Sequence, residues 1–198
     1  MSSADLLDGA TSMVEALESL GISYRISGSV ASSAYGIARA TLDLDIVADL
    51  HPDQIRDLVT RLEDAFYIDE ERVRDAVSRR SSFSVIHLPT ILKIDIFILK
   101  RNAYDAAAFQ RGREDTLEER EGGRRFMLMS PEDVILAKLR WYEMGGCVSE
   151  RQWHDILGVL KVQGESLDRT YLHRWAAELG LASLLQRACE EAGFSQPA

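Results

Sequence analysis

At 198 residues and 46% apolar content, the chain is long enough to bury a sizeable core, and its apolar residues are too many and too evenly spread for a disordered segment. The 23 Lys and Arg against 32 Asp and Glu give a net charge of −9, which speaks against a general nucleic-acid binder while leaving room for a local basic patch. Cys147 and Cys189 make no disulfide framework, residues 1–5 carry no basic and apolar leader, and the longest apolar-rich run, residues 90–99, is broken by Lys93 and Asp95, so the expectation is a soluble cytoplasmic protein with no membrane association.

Leu6, Ala10, Met13, Leu17 and Leu20 recur at helical spacing and predict an amphipathic helix over residues 4–20, ended by Gly21. Residues 22–27 form a short β-prone run, followed by Gly28-Ser29 and about two helical turns from Val30 to Tyr35. Residues 42–47 alternate apolar and acidic side chains, as a strand with one buried face does. Pro52 then opens a helix whose stripe is Ile55, Leu58, Val59 and Leu62, and residues 70–79 are a charged helix. Residues 82–88 and 91–99 read as two strands joined at Pro89-Thr90 in a hairpin. Residues 102–110 are helical, and the charge-dense stretch 111–125 is a loop or ribbon leading into a short strand at 126–129.

The last third is helical. Ser130-Pro131-Glu132-Asp133 reads as a capping box, and helices follow near 131–143, 149–162, 168–178 and 180–192, punctuated by Gly145-Gly146, Gly164 and Gly180. The expected class is α+β, with a mixed sheet and helices in a core of residues 1–129 and a helical part at 130–198.

Three carboxylates stand where strands are ordinarily apolar. Asp43 and Asp45, two apart, leave the same face of one strand, and Asp95 lies in the β-branched run Ile94-Asp95-Ile96. Carboxylates gathered on one sheet repel unless a cation lies among them, and such a set suits oxygen-ligated Mg²⁺. The plain alternatives are a solvent-facing strand edge for Asp43 and Asp45, and an ion pair with Lys93 on the same face for Asp95. Upstream, Ser27-Gly28-Ser29 joins a strand to a helix, where free backbone N–H groups and a glycine admit a phosphate; its plain alternative is a serine-capped helix start.

Strand, Gly-Ser turn, short helix, Asp-x-Asp strand and a later strand Asp together resemble the nucleotidyltransferase fold of the DNA polymerase beta superfamily, through Gly28, Ser29, Asp43, Asp45 and Asp95. Gly28-Ser29-Val30-Ala31, Gly36, Arg39, Thr41 and the Asp43–Ile46 run, with residues 130–139 and Asp155, look like small nucleotidyltransferases of the AbiEii toxin-like type. The resemblance spans roughly residues 20–160.

It implies two Mg²⁺ ions held by Asp43, Asp45 and Asp95, and an NTP whose β- and γ-phosphates lie on Gly28-Ser29. An acceptor hydroxyl on a protein, a tRNA end or a small molecule attacks the α-phosphate, with Asp95 at the metal that activates the nucleophile. It also implies a partner protein in a toxin–antitoxin or phage-defence pair.

Lys138 shares a helical stripe with Val134 and Trp141, so it either snorkels or points into a polar site; the resemblance places it near the triphosphate or against Asp155. For Asp155 itself, a structural salt bridge is the simpler role. Arg39 suits a phosphate or acceptor contact as well as a surface position, and Thr41 shares the face of Asp43 and suits a group that orients it. The four histidines show no metal spacing, and Trp141, Trp153 and Trp175 read as core. Two rival functions stay open: a nucleotidyltransferase-fold module that binds without turnover, and a metal-dependent phosphohydrolase using the same carboxylates.

Overall fold

A computed structural model describes residues 2–117 and 122–193. Part of the predicted loop or ribbon at 111–125, residues 118–121, lies outside the described residues. In chain order the elements are α1 (Ser3–Ser19), β1 (Tyr24–Ser27), α2 (Gly28–Tyr35), β2 (Asp43–Ala48), α3 (Ile55–Leu62), β3 (Phe66–Tyr67), α4 (Glu70–Arg79) and β4 (Ser82–His87). There follow β5 (Leu92–Ile98), α5 (Ala103–Gln110), β6 (Arg113–Thr116), β7 (Arg125–Leu128), α6 (Pro131–Met144), α7 (Glu150–Gln163), α8 (Arg169–Glu178) and α9 (Ala182–Glu191). No helix among the described residues is long and apolar enough to cross a membrane.

The chain divides into two compact units. The first comprises Met1–Ser27 and Thr41–Leu128; the second comprises Gly28–Ala40 and Met129–Ala198. The loop carrying Arg39 and helix α2 therefore belong with the C-terminal helices.

The first unit is built on a seven-stranded sheet in the order β3-β4-β5-β2-β1-β7-β6. It is mixed: β2 runs parallel to β5, β1 parallel to β7, and the other neighbours are antiparallel. Alternation sets its two faces. Leu44, Ile46, Ala48, Ile94 and Ile96 are wholly buried on one, while Asp43, Asp45, Asp95 and Phe97 on the other are half-buried. Helix α1 lies against the apolar face: a Cβ on Gly9 would come within 2.6 Å of Leu92 Cδ2, so a side chain there would require the leucine to shift. A Ser2–Asp5 capping box opens α1.

In the second unit α6 packs with α2, α7 and α8, and α9 packs on α7 and α8. Ser130 caps α6, but the capping box is incomplete. The Asp133 backbone N–H donates to Ser130 Oγ at 3.2 Å, and the carboxylate accepts the Ser130 hydroxyl at 2.6 Å and the Tyr171 hydroxyl at 2.8 Å. Here the aspartate instead joins α8 to α6 through Tyr171. Trp153 and Trp175 are core, as expected, but Trp141 is 52% exposed. Tyr142, one residue on, turns inward in its place, its ring tilted against Trp153 with centroids 5.0 Å apart.

Truncation at the centre of the sheet tests this core. Ile94→Ala is expected to lower unfolding stability by about 2–5 kcal/mol with an unchanged denaturant slope, measured by urea titration.

Candidate active site

The predicted site residues fall in two groups, one in each unit. Asp43, Asp45 and Asp95 lie on the polar face of the first unit's sheet. The parallel register pairs Asp45 with Asp95 and Asp43 with Lys93, so three carboxylates and one ammonium occupy a two-by-two patch across two hydrogen-bonded strands. The patch is ordered by hydroxyls. Thr41 Oγ donates to Asp43 Oδ1 at 2.8 Å, the orienting role expected of it, and Ser84 Oγ donates to Asp95 Oδ1 at 2.5 Å. Lys93 Nζ donates to Asp95 Oδ2 at 2.7 Å, which is the ion pair weighed above. That hydrogen bond, with the fields of Asp95, Asp43 and Asp45, raises the Lys93 pKa above its ordinary value.

Among the described residues no three His, Cys, Asp or Glu side chains converge as metal ligands. The donor set nonetheless has the chemistry of a hard divalent cation site, carboxylate oxygens without nitrogen or sulfur. Lys93 is paired with Asp95 and lies in the field of Asp43 and Asp45. Ser84 was missed by sequence reasoning although a signal existed: counting back symmetrically from the Pro89-Thr90 turn pairs it with Asp95, as the register shows.

Gly28, Ser29, Arg39 and Lys138 lie in the second unit. Gly28 opens α2 with φ +60°, a left-handed conformation that a side chain would strain. Arg39 Nη2 donates to Ser29 Oγ at 2.6 Å and, with Nε, grips Asp155 at 2.8 and 2.7 Å. Lys138 Nζ donates to Asp155 Oδ2 at 2.7 Å, and both of those side chains are nearly fully buried. Arg39, expected as a phosphate or acceptor contact or as a surface residue, is tied to Asp155 and Ser29 with 23% of its side chain exposed. One buried carboxylate thus fixes two cations and, through Arg39, the serine hydroxyl at the start of α2. Burial pushes the Asp155 carboxyl up, but the hydrogen bonds from Arg39 and Lys138 outweigh it and hold its pKa below the ordinary value.

Arginines that could have formed a basic patch are largely tied to nearby acids: Arg72 to Asp69, Arg74 to Glu70, Arg79 to Asp75, Arg124 to Glu15 and Glu18, and Arg125 to Glu114. His87 is buried, with Nδ1 2.8 Å from Thr90 Oγ and its ring against Phe66, a structural role. Cys147 and Cys189 are both free thiols.

No family model matches the chain, and no curated protein matches it. Solved structures do. The solution structure of the antibiotic-resistance factor ANT(2'')-Ia superposes with a TM-score of 0.58 at 16% identity, over 90% of this chain and 97% of that one. The crystal structure of ANT(2'')-Ia with adenylyl-2''-tobramycin gives 0.54 at 14% identity, over 92% and 98%. An antigenic nucleotidyltransferase-like protein from Paracoccidioides brasiliensis gives 0.50 at 21% identity, over 89% and 91%.

Removing the hub of the cationic cluster leaves buried charge without its counter-ion. Asp155→Asn is expected to cost about 3–5 kcal/mol of stability at neutral pH, read by denaturant unfolding. Because the folded pKa of Asp155 is depressed, its contribution is complete above the unfolded value of about 3.9 and lost as pH falls through the folded one. The thermal midpoint of the wild type should therefore fall towards that of Asp155→Asn below about pH 4. With these solved structures as neighbours, the chain has the nucleotidyltransferase fold.

Proposed function

We propose that this protein is a Mg²⁺-dependent nucleotidyltransferase that moves NMP from an NTP to a hydroxyl on a small molecule. The observation that carries the reading is the register of β2 on β5, which sets Asp45 beside Asp95 and Asp43 on the same face of a nucleotidyltransferase-fold sheet. Asp43, Asp45 and Asp95 would hold the metal, whose chemistry is to neutralise the triphosphate and the charge that develops at the reacting oxygens.

The chain's own groups do the rest. Thr41 and Ser84 hold two of the carboxylates in place. In the second unit, Gly28, Ser29, Arg39 and Lys138 are the candidates for nucleotide contact, with Asp155 keeping Arg39 and Lys138 in fixed positions. The acceptor oxygen bonds to the α-phosphorus, the bond to the bridging oxygen breaks, and pyrophosphate leaves; the hydroxyl proton passes to Asp95. A small hydroxylated acceptor is supported by the near-complete coverage of ANT(2'')-Ia, solved with adenylyl-2''-tobramycin. The net charge of −9, which disfavours non-specific tRNA binding, supports it too. The AbiEii-like residues favour a second setting, a toxin–antitoxin or defence pair in the cytoplasm whose acceptor is tRNA or protein.

Incubation with each α-labelled NTP, Mg²⁺ and, in separate reactions, an aminoglycoside panel, total tRNA and cell protein tests both. Label is expected on a small molecule with release of pyrophosphate, and Asp45→Asn should reduce it by about 100-fold or more. Label on tRNA or protein would favour the second setting. Orthophosphate in place of pyrophosphate, or transfer undiminished in Asp45→Asn, would overturn the reading.

A further inference from the structure

The carboxylate face carries a cation of its own. Lys93 and Asp95 are two apart on β5 and share a face, and the register sets Lys93 opposite Asp43. Both oxygens of Asp95 are engaged, Oδ1 by Ser84 and Oδ2 by the Lys93 ammonium at 2.7 Å. The Asp95 side chain is only 19% exposed, whereas that of Lys93 is 53% exposed, so the lysine can swing into solvent while the aspartate stays. Three anions set side by side repel. The lysine offsets that repulsion when no other cation is present.

We infer that Lys93 is a tethered counter-cation that a metal ion must displace from Asp95, so that Lys93 sets the cation concentration at which the site loads. The inference rests on the metal-site reading above. Lys93 acts through Asp95 and is a positioning residue: it holds the carboxylate in a defined place until the divalent ion arrives. A four-carbon arm bearing one charge competes with a divalent ion without abolishing its binding, because the ammonium is already half in water and its pair with Asp95 is correspondingly weak.

Mn²⁺ titration at fixed ionic strength, followed by calorimetry or by loss of the free-ion resonance, separates the outcomes. Lys93→Met should bind Mn²⁺ about fivefold more tightly than wild type. Lys93→Arg, which restores the charge, should return close to the wild-type affinity. In EDTA, Lys93→Met should melt below wild type, and the deficit should shrink when Mn²⁺ is added. Equal or weaker Mn²⁺ binding by Lys93→Met, with binding intact in wild type and lost in Asp45→Asn, would overturn the role of Lys93 and leave the metal site standing. Absence of Mn²⁺ binding from both wild type and Lys93→Met would overturn both.

Discussion

The pairing of β2 with β5 is the constraint on which the carboxylate face depends. Both strands lie inside the sheet, so their apolar side chains must be buried on one face: Leu44, Ile46, Ile94 and Ile96 leave no room there for a charge. Period-two geometry then sends Asp43, Asp45 and Asp95 together to the other face, and the parallel register sets Asp45 beside Asp95. Like charges directly opposite on neighbouring strands destabilise a sheet. Thr41, Ser84 and Lys93 are the local answer, two hydroxyl donors and an ammonium placed where the repulsion is greatest.

The second unit solves the complementary problem. Its polar cluster is buried, and a buried charge is tolerable only when paired and hydrogen-bonded. Asp155 meets that condition with hydrogen-bonded ion pairs to both Arg39 and Lys138. Glu132 and Asp133 are also buried; Glu132 Oε1 accepts from the backbone N–H of Asp168, which caps α8, and Asp133 accepts from the Tyr171 hydroxyl. Networks of this kind specify one arrangement of helices, because any other leaves a charge without a partner.

Each unit thus holds charge in fixed places before any ligand arrives. In this chain both sets of charges are held by short hydrogen bonds from neighbouring side chains.

The sequence by itself determined a good deal. Period-two alternation placed Asp43 and Asp45 on one strand face, the Pro89-Thr90 turn placed the hairpin, and glycine and serine punctuation placed the C-terminal helices within a few residues of where they lie. It determined these because they follow from backbone periodicity and local capping, which act over a few residues. It did not reveal that Gly28–Ala40 packs with the C-terminal helices, that Trp141 is half exposed, or that Arg39 and Lys138 share one carboxylate. Nor did it give the register that sets Asp45 against Asp95. Those depend on contacts between residues from 17 to more than a hundred positions apart, and only burial and charge pairing in the folded chain decide which of many compatible partners is taken.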